Sequence, residues 1–229
     1  KLFPIPVAQW TALVAVPSAE AAVELLNRFQ SGASAQLTGF EMMSDESLAL
    51  LKHYYPALAS PLEGPNPYEV LVEISDYESE EHATQLMESI LAGALESGCA
   101  TDAAIASSLA QARKFWDMRE HVPLAQADDG PNIKHDVSLP ISAIASFIRE
   151  TDALLSRAFP GVRVVCFGHL GDGNLHYNVQ APEGADTSTF LREHEERINT
   201  LVFDQVHKFK GSISAEHGVG ELKARKLHH

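Results

Sequence analysis

The stretch Cys166-Phe-Gly-His169-Leu-Gly-Asp-Gly-Asn-Leu-His176-Tyr-Asn178 sets two imidazoles on either side of an Asp-Gly pair. About forty residues on, Ser214-Ala-Glu216-His217-Gly-Val-Gly220 adds a carboxylate and a third imidazole. Two histidines and one carboxylate are the donors a catalytic divalent metal takes, because three protein ligands leave positions open for substrate. On this reading His169, His176 and Glu216 hold the metal. His217, beside Glu216, is placed to serve as a general acid or base near neutral pH. Gly218 and Gly220 leave room for backbone close to a ligand. Taken without the histidine-rich stretch, Glu216-His217 would read as an exposed turn.

The elements must bring these groups together. Asp172-Gly173 between two apolar runs signals a hairpin, since a type I′ turn needs positive φ at both central positions. With those two residues as the turn, Gly171 pairs with Asn174, Leu170 with Leu175 and His169 with His176. Directly opposed residues have Cβ atoms roughly 5 Å apart, which lets two imidazoles converge on one ion. Alternation puts Phe167, His169, His176 and Asn178 on one face, looking into a cleft, and Cys166, Leu170, Leu175, Tyr177 and Val179 on an apolar face against helices. For the hairpin alone, the alternative is a hydrogen-bonded histidine pair on a solvated face.

Two cations could complete an anion site. Arg119, in Phe115-Trp-Asp-Met-Arg119-Glu120 at the end of a helix, can grip a carboxylate bidentately, although a lone arginine is more often a surface ion-pair partner. Lys134 opens a strand and can neutralise an anion; its bland alternative is a rim lysine. Leu37-Thr-Gly-Phe-Glu-Met-Met43 carries no chemistry that can be derived. Neither GxGxxG nor a P-loop pattern is present.

Along the chain, Thr11 to Val16, Ala35 to Met42, Tyr68 to Ser75 and Lys134 to Leu139 read as strands, and Arg163 to Gln180 as two strands around a turn. Helices are expected from a Ser18 cap through Phe29, from Ser44 through Leu51, and over Ser79 to Glu96, Gln111 to Glu120, Ile141 to Phe159 and Thr187 to Lys210. Strand, helix, strand, with a helix returning to a further strand, occurs twice. The expected fold class is therefore α+β, with ferredoxin-like halves forming an antiparallel sheet and helices on one face. The sub-halves are 1–110 and 111–229.

Composition narrows the function classes. The 229 residues are 45% apolar and carry a net charge of −14, which argues against nucleic acid as a partner. Cys99 and Cys166 stand far apart with no disulfide framework, so a reduced, cytoplasmic setting is the default. No apolar run approaches the ~20 residues of a transmembrane segment. Lys1-Leu-Phe-Pro without a Met, and an end within a basic helical segment, read as a piece of a longer chain.

Phe115-Trp-Asp-Met-Arg119-Glu, Lys134-His-Asp-Val-Ser-Leu-Pro140, Gly168 to Asn178 and Gly211 to Gly220 resemble the C-terminal half of FAD-linked 2-hydroxyacid dehydrogenases of the vanillyl-alcohol-oxidase type. That group takes in D-lactate dehydrogenases, the glycolate oxidase flavin subunit and D-2-hydroxyglutarate dehydrogenases, to which the chain is most similar. The resemblance implies zinc as the divalent metal on His169, His176 and Glu216, and His217 as the base for the hydroxyl proton. It implies Arg119 and Lys134 on the substrate carboxylate, with Asn178 positioning substrate. It implies FAD bound mainly by an N-terminal domain absent here, a small 2-hydroxy acid as substrate, and hydride transfer to the flavin. The family's pattern has a threonine a few residues after the arginine, where this chain has Pro123, which leaves the substrate's identity open. The electron acceptor stays open, a homodimer is one expectation, and a metal-dependent hydrolase and a non-catalytic ferredoxin-like binding module are the competing readings.

Overall fold

The computed structural model describes residues 5–214. Its elements run β1 (Ala8–Val16), α1 (Ala19–Gly32), β2 (Leu37–Ser44), α2 (Asp45–Tyr54), β3 (Tyr68–Asp76), α3 (Glu80–Glu96), β4 (Asp102–Ile105), α4 (Leu109–Asp129), β5 (Asp136–Ser138), α5 (Ile141–Ala158), β6 (Arg163–His169), β7 (Asn174–Gln180) and α6 (Thr187–Lys208). Helix starts follow local chemistry. Ser18, Ser44, Ser79 and Ser108 each accept the backbone N–H three residues on, and Asp186 does the same for α6. Each such cap is worth about 1 kcal/mol.

Among the described residues, seven strands join one antiparallel sheet in the order β4-β1-β3-β2-β6-β7-β5. The order β4-β1-β3-β2 is the ferredoxin-like arrangement expected of the first half. In the second, β6, β7 and β5 repeat the roles of β2, β3 and β1. The halves meet where β2 pairs with β6, Glu41 opposite His169 and Met43 opposite Phe167. Beside β5, Ser138 and Ser212 form an isolated bridge.

The mixed α and β class holds, but the helices do not keep to one face. The larger apolar cluster lies between the sheet and α1, α3, α5 and α6. On the opposite face Leu13, Met43, Leu71, Val165 and Phe167 pack with Leu50 and Leu51 of α2 and Phe115, Met118, Val122 and Ala125 of α4. The reason is visible in β1: Ala12-Leu-Val-Ala-Val16 is an unbroken apolar run, as in a strand buried on both sides, and all five residues are fully buried. α4 also runs beyond Glu120 to Asp129 with Pro123 inside it. Proline costs the helix one hydrogen bond, which the packing of Val122 and Ala125 offsets. The short, half-buried β4 carries no strand signal of its own.

The β6–β7 hairpin departs from a two-residue turn. Leu170–Asp172 form a 3-10 turn closed by Gly173 at φ 74°, and Phe167, not His169, lies opposite His176. The cause is steric. Gly168, at φ 148°, lies so close to Asn174 that a Cβ would come within 2.6 Å of its carbonyl oxygen. Gly173 is docked on Leu139, whose N–H donates to its carbonyl at 2.8 Å. The register is offset by two residues, so which side chains share a face is unchanged.

In the larger core the Tyr177 hydroxyl donates to Asp152 of α5. Burial pushes the Asp152 carboxyl up to about 6, against the lowering effect of that hydrogen bond. A carboxyl raised above its unfolded value stabilises the fold most below about pH 4 and loses that contribution as pH rises through about 6. Asp152→Asn is therefore expected to gain about 1–2 kcal/mol over the native chain at pH 7.5, and little at pH 4. Urea midpoints at the two pH values check this; an equal difference at both would contradict it.

Candidate active site

A cavity of about 400 Å³ opens on the α4 face of the sheet. α4 contributes Arg119, Pro123 and Gln126, spaced i, i+4 and i+7 so that they share a helix face. Lys134 comes from the segment before β5, Phe167 from β6, and His176 and Asn178 from β7. Four residues expected at a site thus line one space: Arg119, Lys134, His176 and Asn178.

Each is held in a definite way. Arg119 is buried, its guanidinium carbon 4.8 Å from the Phe167 ring centroid, and its Nε donates to Glu41 Oε2 at 2.8 Å. That leaves the terminal nitrogens, the edge suited to a carboxylate. Arg119 is no surface ion-pair partner. Lys134 is exposed, at the cavity's rim. The His176 ring lies against Phe167, with centroids 4.9 Å apart, and its Nδ1 is 3.7 Å from Asp136 Oδ1 across the β5–β7 pair.

Asn178 is oriented at both ends. Its Oδ1 accepts the His135 backbone N–H at 3.1 Å, and its Nδ2 donates to Gln126 Oε1 at 2.9 Å. Because the backbone donor fixes the first amide, the second must present its oxygen to Asn178 and turn its Nε2 away. That Nε2 is buried with no hydrogen-bond partner among the described residues, a donor left over on a residue that lines the cavity.

His169 stands elsewhere than expected. Rather than facing His176, it pairs with β2, and its Nδ1 bonds to Glu41 Oε1. It lines a second hollow of about 280 Å³ with Thr38, Gly39 and Glu41. Glu41 thus links a residue of each space, holding Arg119 with one oxygen and His169 with the other. Glu41 and Gln126 are not among the site residues expected from the sequence. For Glu41 a signal existed: a carboxylate between Phe40 and Met42-Met43 on a strand buried on both faces requires a cationic or hydrogen-bonding partner. For Gln126 the signal was its helical spacing from Arg119.

Among the described residues, no group of three or more His, Cys, Asp or Glu side chains is arranged to hold a metal ion. Glu216 and His217 lie outside the described residues. Of the two histidines expected to ligate, His169 bonds through Nδ1 to Glu41, while His176 Nδ1 approaches Asp136 at 3.7 Å; a carboxylate in that position is the usual outer partner of a ligating histidine. No helix among the described residues is long and apolar enough to cross a membrane.

A D-2-hydroxyglutarate dehydrogenase of Xanthomonas citri pv. viticola is 35% identical to this chain over 216 residues, covering 94% of this chain and 44% of the relative. A putative mitochondrial D-lactate dehydrogenase of Schizosaccharomyces pombe is 32% identical, with 93% of this chain and 40% of the relative covered. The chain thus spans less than half the length of these curated relatives. Among solved structures, an alkyldihydroxyacetonephosphate synthase has a TM-score of 0.58 at 12% identity, covering 92% of this chain and 41% of that one. A 4-ethylphenol oxidase from Gulosibacter chungangensis has a TM-score of 0.57 at 10% identity, covering 91% of this chain and 45% of that one. These two share the fold. The family profile described as FAD linked oxidases, C-terminal domain, matches residues 5–229, and the chain belongs to that family.

Proposed function

We propose that this chain is the substrate-binding part of an FAD-dependent oxidoreductase that converts a D-2-hydroxy acid to the 2-oxo acid. The observation that carries the reading is the convergence of Arg119, Lys134, His176 and Asn178 on one cavity. The names of the relatives support the substrate class. The carboxylate lies on the terminal nitrogens of Arg119, with Lys134 at the rim and the spare N–H capacity of Gln126 beside it. Asn178, locked between His135 and Gln126, positions the substrate. His169, His176 and Glu216 would hold a divalent metal, zinc in this proposal, and His217 would accept the hydroxyl proton. A metal held there would supply Lewis-acid polarisation of the 2-hydroxyl, and a bound flavin would supply the hydride acceptor for C2. The flavin is held mainly by a part of the protein N-terminal to this domain, in keeping with the family's description. The buried, free Cys99 and Cys166 support a reducing compartment such as the cytoplasm, although the Schizosaccharomyces relative is named mitochondrial.

The test is an assay of the full-length protein on matched D- and L-2-hydroxy acids with an artificial electron acceptor. Turnover of the D series with formation of the 2-oxo acid is expected. Turnover of the L series alone, or ester hydrolysis with no oxidation, would overturn the reading.

A further inference from the structure

Glu41 is 3% exposed and sits at the middle of the sheet, where β2 meets β6. An ionised carboxylate there persists only when it is paired and hydrogen-bonded. Both oxygens are used, and they go to different elements. Oε2 takes the Nε–H of Arg119 from α4 at 2.8 Å, and Oε1 takes the Nδ1 side of His169 from β6.

The chemistry of each bond is specific. Arg119 tied through Nε, with its guanidinium over Phe167, has only its terminal edge left to turn towards the cavity. A neutral histidine whose Nδ1 faces a carboxylate carries its proton there, which leaves the lone pair on Nε2, the form that ligates a metal. A carboxylate serves both donors at once. A carboxamide has one oxygen, and its nitrogen would meet the second donor with another donor.

We infer that Glu41 is a positioning residue that couples the carboxylate-binding arginine to the metal-binding histidine. The inference rests on the proposed function. It goes beyond it in assigning a role to β2, which brings no ligand of its own. A substrate carboxylate drawn onto Arg119 and a metal drawn onto His169 then share one buried anchor. Loss of the anchor harms both sites without removing any group that touches substrate or metal.

The experiment uses the full-length protein, native and Glu41→Gln, well below the melting temperature of each. Zinc affinity is measured by competition with a chromophoric chelator, and kcat and KM with a D-2-hydroxy acid. Zinc affinity is expected to fall about 10- to 100-fold, with KM rising about tenfold, while Glu41→Asp recovers part of both. A merely structural ion pair would lower the melting temperature and leave the zinc affinity of the folded protein unchanged, and that result would overturn the inference alone. A native protein whose zinc uptake is absent, or indifferent to His169→Ala, would overturn the metal reading and the inference with it. Should Glu41→Gln fail to fold, histidine-selective ¹⁵N spectra of the zinc-free native protein decide. The Nδ1–H tautomer of His169 supports the inference and the Nε2–H tautomer overturns it.

Discussion

Arg119→Met is expected to raise KM for a D-2-hydroxy acid about 100-fold or more and to cost the fold about 3–5 kcal/mol. The two effects have one origin. Arg119 reaches Glu41 through Nε and offers its remaining nitrogens to the cavity. In the proposed site, removing it deprives the substrate carboxylate of a bidentate partner; in the fold it leaves Glu41, 3% exposed, without its cation. The effects separate in a second variant. Replacing both partners, Arg119→Met with Glu41→Met, removes the stranded charge and should restore most of the lost stability, as apolar replacement of a buried ion pair often does. It should restore none of the binding. Urea denaturation beside steady-state kinetics on the full-length protein measures both. A double variant that regains low KM would show that the arginine acts on stability alone.

His176→Ala is expected to act on the other kinetic constant. In the proposed site this ring is a metal ligand, and its loss should drop kcat by about 10³-fold, the scale of several kcal/mol of Lewis-acid stabilisation. KM should change far less, because Arg119 and Lys134 still hold the carboxylate. Bound zinc, read by elemental analysis, should fall in parallel with kcat. The structural cost is the ring contact with Phe167, about 1 kcal/mol, so the variant should remain folded. A His176→Ala protein with native kcat and native metal content would remove this residue from the site.

The parts legible beforehand and the parts that were not divide along physical lines. Ser18, Ser44 and Ser79 announce their helices because a cap is a local hydrogen bond, decided within four residues. That His176 and Asn178 share a face with Phe167 was also legible, because strand alternation survives any slip by two residues. The opposition of His169 and His176 was not, since it depends on the turn. The turn follows from Gly168 pressing on Asn174 and Gly173 docking on Leu139, contacts with no trace in local propensity. The second helical layer was half legible. The unbroken apolar run of β1 demands cover on both faces, but Pro123 masks the continuation of α4, and that continuation carries Gln126 into the cavity. Glu41 shows the same limit from the other side. Its partners lie 78 and 128 positions away, so its type signals a need for pairing while only the fold says with what.

The most direct test of substrate binding at Arg119 is a crystal structure of the full-length protein with a 2-oxo acid product bound. The product's carboxylate is expected within hydrogen-bonding distance of the terminal nitrogens of Arg119, in the cavity shared by Lys134, His176 and Asn178. A product bound elsewhere, with Arg119 engaged only by Glu41, would contradict it.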